Sequence, residues 1–227
     1  MQMITSLTPP ETLLEQAYRA ILNAICEGSL AAGARLTQEG IAERLSVSRQ
    51  PVAQALALLK SQGFVKETGR RGLVVSHLDP VFFKAIYELR SAIDPMAARL
   101  AAGRMHEKAK HEGKAIIKEG YRALRSGELH ALVQADARFH TYVYELSGNP
   151  LVAEVMSLYW NHLRRAMGEV LQTKGEGKIV WGEHEEIFDA LVTGNAEQAG
   201  RMAEAHVRSA VGRVLSVVEA RAKASNE

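Results

Sequence analysis

The stretch from Leu36 to Phe64, LTQEGIAERLSVSRQPVAQALALLKSQGF, constrains this chain most, because it holds two helical periodicities around a turn too short to be anything but a sharp bend. Thr37 is placed to cap a first helix whose inner face carries Ile41, Ala42 and Leu45, and Ser46-Val47 is the turn. Ser48 is placed to cap the second helix. Pro51 falls in its first turn, where a missing N–H does no harm, and at roughly 100° per residue Val52, Ala55, Leu56 and Leu59 share one side. The other side holds Arg49, Gln50, Ala53, Gln54, Ala57 and Lys60. It is short in acids and rich in planar hydrogen-bonding groups suited to base edges in a major groove. An ordinary helical hairpin with a solvated polar face is the alternative.

The flanks favour a DNA reader. After Gly63-Phe64, the runs Val65 to Thr68 and Leu73 to Val75 surround Gly69-Arg70-Arg71-Gly72, a glycine-bracketed basic tip between two β-prone segments. That is a wing. From Ser48 to Val75 the bases Arg49, Lys60, Lys66, Arg70 and Arg71 face the single acid Glu67, so positive charge is local although the whole chain carries only +2.

These residues resemble the GntR-type bacterial transcriptional regulators. The resemblance covers AILNAICEGSLAAGARL, where Gly28 and Gly33 bracket a turn before Arg35, then SVSRQPVAQAL, then the QGFV…GRRGLVV wing. It implies that Arg35, Arg49, Gln50, Gln54, Arg70 and Arg71 contact DNA. The family usually reads SRTPVREAL, so Ala53 stands where an arginine is customary and Gln54 where a glutamate is. One change removes a phosphate or guanine contact and the other a repulsion, so the operator sequence is left open.

With 227 residues the chain exceeds the usual single-domain size, and its pattern changes at Ser76-His77-Leu78-Asp79-Pro80. A DNA-binding domain is expected over 1–77 and a larger second domain over 78–227. The first ten residues read as an arm ending in a capping box, with Thr8 as cap, Pro9 and Pro10 in the first turn and Glu11 reaching back. No signal peptide and no apolar run of about 18 residues is present, so a cytoplasmic protein is expected. The single Cys26 cannot form an intrachain disulfide and reads as a small apolar side chain rather than a redox sensor.

Beyond the boundary no strands are expected. Helices are predicted at about 80–103, 106–126, 128–147, 150–173, 179–193 and 196–222, giving a mainly α fold in which a winged helix-turn-helix precedes an all-α antiparallel bundle of six helices. Asp136 and His140 are four apart, so they share a helix face. His184 and His206 lie at similar distances on either side of the Gly194 turn, so antiparallel packing brings them level. Three imidazoles and a carboxylate suit a first-row divalent ion, zinc first, with nickel or manganese as alternatives. Surface pairing of Asp136 with His140 is the other reading.

DARFHTYVYELSGNPLV and GEHEEIFDALVTGNAEQAGRMAEAHV resemble the FCD ligand-binding domain that follows one branch of GntR-type readers, in its shorter six-helix form. The resemblance implies that Asp136, His140, His184 and His206 hold a metal at the floor of a pocket. It also implies that Arg90 faces a small organic acid effector, the alternative being a surface salt bridge with Glu88 or Asp94. His162 is taken as structural, and His77, His106, His111 and His130 as surface residues.

Two functions are weighed. One is a ligand-responsive homodimeric regulator of operator DNA, a repressor by the family's usual habit. The other is a metal-dependent hydrolase or lyase fused to a nucleic-acid module, which the lack of an evident general base beside the ligands disfavours.

Overall fold

A computed structural model describes residues 11–69 and 72–224, the side chains of 222–224 excepted. Contacts divide the chain into two compact units, Met1–His77 and Leu78–Glu227.

The first unit runs α1 (Leu13–Cys26), β1 (Arg35–Leu36), α2 (Gln38–Leu45), α3 (Arg49–Ser61), β2 (Val65–Glu67) and β3 (Leu73–Val75). α1 opens on a capping box, but at Thr12 and Glu15: the Glu15 N–H donates to Thr12 Oγ1 at 3.2 Å and the Thr12 N–H to Glu15 Oε2 at 2.8 Å. The expected box lay one T-x-x-E repeat earlier. Thr8, Pro9 and Pro10 fall outside the described residues, and Glu11 precedes the helix. Leu13 and Leu14, which follow Thr12, are good helix formers.

Thr37 caps α2 as expected, its Oγ1 accepting from the Gly40 N–H at 3.2 Å. Ser46 then makes the turn with φ 55°, the left-handed region that side chains other than glycine rarely adopt. Ser48 occupies the N-cap of α3 with extended backbone, yet its hydroxyl makes no capping bond, contrary to expectation. Val52, Ala55, Leu56 and Leu59 are buried against Ile21, Leu22 and Ile25 of α1 and against Phe64, Val65 and Val75, while Ile41 and Leu45 pack on the edge of this core. Cys26 is partly buried beside it.

β2 and β3 pair antiparallel with Val65 opposite Val75 and Glu67 opposite Leu73, the expected wing. A third strand was not foreseen: β1 pairs with β3, Arg35 opposite Val74, in the order β1-β3-β2. Two residues are too few to show an alternating pattern.

The second unit is all helix: α4 (Pro80–Ala102), α5 (Glu107–Ser126), α6 (Leu129–Leu146), α7 (Pro150–Ser157), α8 (Trp160–Leu171), α9 (Glu176–Val192) and α10 (Ala196–Ala224). The helix predicted over 150–173 is therefore two, and the described bundle has seven segments rather than six. The break carries no proline or glycine. The Leu158 and Tyr159 N–H groups bond the carbonyls of Val155 and Met156, three residues back, and this tightened step ends α7 before α8 resumes. Leu158 is thrown out to 69% exposure, while Tyr159 and His162 pack on the Phe82 ring.

α4 and α10 form the most extensive helix pair, and the apolar interior falls into two clusters. Tyr87, Tyr144, Leu163, Met167 and Trp181 belong to one; Phe139, Tyr142, Phe188 and Leu191 belong to the other. The depth of α9 is set by glycines of α5. A Cβ on Gly120 would lie 1.7 Å from the Trp181 ring and one on Gly113 2.3 Å from Phe188, so the aromatic face of α9 lies directly on α5 backbone. The Trp181 indole N–H donates to the Ile117 carbonyl at 3.0 Å. No helix among the described residues is long and apolar enough to cross a membrane.

Candidate metal centre and nucleic-acid interface

Trp181, His184 and Phe188 follow an i, i+3, i+7 pattern, so the packing that seats the two aromatics also turns His184 inward. His184 is fully buried, stacked on Phe139 with centroids 4.3 Å apart and edge-on to Trp181 at 5.0 Å. His140 of α6 and His206 of α10 meet it there. Their ring centroids lie 5.0 Å (His140 to His184), 4.8 Å (His184 to His206) and 5.2 Å (His140 to His206) apart. One nitrogen from each of the three can be chosen so that all lie within 4.8 Å of one another, a group that could hold a metal ion.

Asp136 is buried one helical turn before His140 and stands beside this group, its Oδ1 3.6 Å from His184 Nε2. Neither that oxygen nor either ring nitrogen of His184 has a hydrogen-bond partner among the described residues. Buried groups of this kind are ordinarily satisfied, so this donor set fits a cation. Burial holds His140 and His184 well below the ordinary imidazole range, with the Arg90 cation adding to the effect, so both rings are neutral and keep a lone pair. Burial also pushes Asp136 up to about 6, against the pull of His206, Arg90 and Arg213.

Arg90 is not the surface residue that one reading allowed. It is 2% exposed, donates from Nε and Nη2 to Asp94 Oδ2 at 3.1 and 2.8 Å, and brings Nη2 within 3.4 Å of both His140 ring nitrogens. Tyr144 completes the pair by donating to Asp94 Oδ1 at 2.7 Å. Asp94 had been named only as a surface partner of Arg90, and two side chains here had not been singled out from sequence: Tyr144, and Tyr87, whose buried hydroxyl has no partner among the described residues. The i, i+4 spacing of Arg90 and Asp94 was the available signal, and it marks a buried pair as readily as an exposed one. His77, His106, His111 and His130 are exposed as expected, and His106 caps α5 by accepting from the Ala109 N–H at 3.2 Å.

In the first unit, Arg49, Gln50, Gln54, Ala57 and Lys60 are exposed on the outer face of α3. Arg35 and Arg49 line one surface concavity with Gln38, Glu39 and Gly72. Ala53, Ala57 and Lys60 line an adjoining one with Gln38 and Gly72, so the helix face and the base of the wing form one surface. Arg70 and Arg71 lie outside the described residues. Two acids moderate the charge: Glu39 pairs with Arg49, and Glu67 with Lys60 at 2.5 Å. Glu39 precedes the segment whose charge was weighed in the sequence.

Residues 13–75 match the bacterial regulatory proteins of the gntR family, and residues 85–209 match the FCD domain. An uncharacterized HTH-type transcriptional regulator in an unstable DNA locus of Streptomyces ambofaciens is 30% identical over 79% of this chain and 75% of its own. The HTH-type transcriptional repressor RspR of Escherichia coli K12 is 22% identical over 92% of this chain and 91% of its own. Among solved structures, E. coli McbR/YncC superposes with a TM-score of 0.76 at 18% identity, covering 91% of this chain and 98% of that one, a likeness of fold. The chain belongs to the GntR family of bacterial regulatory proteins, in the branch whose body is an FCD domain, and is a DNA-binding transcriptional regulator rather than an enzyme.

Proposed function

We propose that this regulator is a ligand-responsive repressor that works as a cytoplasmic homodimer, its paired α3 helices entering successive major grooves of a palindromic operator. Arg35, Arg49, Gln50, Gln54, Arg70 and Arg71 are the DNA contacts. The residues over 1–77 make the reader, and those over 78–227 bind metal and effector and dimerise. Asp136, His140, His184 and His206 hold one divalent ion, zinc before nickel or manganese, which supplies a Lewis-acidic anchor for a small carboxylate. Arg90 stands beside that anchor to meet the acid's second oxygen. The effector acts by favouring one arrangement of the body over another.

The observation that carries this reading is the buried group of three imidazoles with an Asp136 oxygen beside it that has no hydrogen-bond partner among the described residues, in a chain whose other unit is a helix-turn-helix reader. Repression is supported by the name of the E. coli relative, a repressor that aligns over nearly the whole of both chains. The hydrolase or lyase alternative finds no support in the family or in the relatives.

Metal analysis of the purified protein combined with operator titration tests the proposal. One divalent ion per chain is expected, with sugar acids, hydroxy acids or aromatic acids weakening operator binding only in the metal-loaded protein. A metal-free wild type that responds fully to its effector would reduce the four residues to ordinary polar groups of the bundle.

A further inference from the structure

On the reading that the body holds a divalent ion, we propose that Glu183 positions His206 for that ion by fixing which ring nitrogen carries the proton. Glu183 precedes His184 on α9. Adjacent helical residues point roughly 100° apart, so while His184 faces inward, Glu183 reaches sideways to α10. Its Oε2 lies 2.7 Å from His206 Nδ1. Arg213, seven residues after His206 on α10, grips the same carboxylate with both prongs, Nη1 to Oε1 at 3.0 Å and Nη2 to Oε2 at 2.6 Å.

A carboxylate can only accept hydrogen bonds. The Arg213 fork donates to both Glu183 oxygens, so the carboxylate meets His206 as an acceptor, which puts the ring hydrogen on Nδ1 and leaves the metal-binding lone pair to Nε2. Arg213 keeps the carboxylate from rotating away, since its planar fork occupies both oxygens.

The other two rings have no such partner. Both nitrogens of His184 lack a hydrogen bond among the described residues, and those of His140 face the Arg90 guanidinium, which can only donate. Among the described residues, His206 is therefore the one imidazole of the group with a ring nitrogen hydrogen-bonded to a carboxylate. A carboxylate on the outer nitrogen raises the basicity of the inner one and fixes the ring plane, and loss of such partners typically weakens a metal site about 10–100-fold. Glu183 itself is committed to His206 and Arg213 and stands outside the group of three histidines.

The test uses full-length protein stripped of metal and titrated with zinc against a chromophoric chelator. Glu183→Gln keeps the side-chain volume and removes the charge. It should bind zinc about 10–100-fold more weakly than wild type while melting cooperatively, and His206→Ala should lose more. Ring nitrogen NMR of the metal-free wild type should show His206 with its proton on Nδ1. If wild type binds zinc and His206→Ala does not, yet Glu183→Gln stays within twofold of wild type, the role of Glu183 is overturned and the metal site stands. If wild type binds no zinc, the metal reading itself falls, and this one with it. A His206 proton on Nε2 in the metal-free wild type overturns the proposal whatever the variants do.

Discussion

Arg49 begins α3 with 66% of its side chain exposed, and its partner Glu39 is as open to water. Such a pair contributes at most about 1 kcal/mol, so DNA can displace Glu39 cheaply. Arg49→Ala should lower operator affinity by about 1–3 kcal/mol and relax sequence preference with no change in melting temperature, read by footprinting and circular dichroism. Unchanged preference would remove α3 from the role of reader. Asp94 sits at the opposite extreme of burial. Asp94→Ala would strand the Arg90 guanidinium and leave the Tyr144 hydroxyl without an acceptor, a loss of about 3–5 kcal/mol in denaturant unfolding. The histidines set a pH dependence. In the unfolded chain His140 and His184 gain protons as pH falls through about 6.5, whereas in the metal-free folded protein they resist, so their contribution is full above that pH and is lost on acidification. Asp136 opposes this, because a folded value near 6 takes up its proton before the unfolded chain does. Two imidazoles outweigh one carboxyl. The melting temperature of metal-stripped protein should fall from pH 7 to pH 5, and a flat or rising profile would mean that the rings are not held neutral.

At the scale of helices, the glycine face of α5 matters most for the site. Gly120→Ala would drive a methyl into a buried indole whose N–H is already bonded to backbone, so α9 must lift. A loss of about 1–3 kcal/mol is expected, with weaker zinc binding because His184 moves with Trp181, measured by thermal unfolding and chelator competition. Much of this level was legible in the sequence. The turns of the helix-turn-helix, the wing and the level pairing of His184 with His206 all follow from periodicity and punctuation, which are local signals. What escaped depends on non-local or featureless causes. The α7–α8 break at Leu158 and Tyr159 has no residue that forbids a helix, and β1 exists only because β3 offers it a partner. Two T-x-x-E repeats in a row made the start of α1 ambiguous, and the burial of Arg90 is decided by what α6 presents to it.

For the whole molecule, the first unit has a closed core of its own, formed by residues between Ala17 and Val75. A chain ending at Val75 should be monomeric and bind operator poorly, because a palindrome rewards two linked readers and the apolar surface expected to join them lies after residue 78. Sedimentation and operator titration of the truncated and full chains would check this, and a monomeric full-length protein at micromolar concentration would count against it. The four residues proposed for the ion span Asp136 to His206, and the last is carried by the final helix. Synthesis proceeds from the other end. At roughly 5–20 residues per second, the ribosome releases the reader several seconds before it reaches His206. If the ion anchors the effector as proposed, every newborn copy passes through a stage in which its reader is already out while the means of releasing it is still unbuilt.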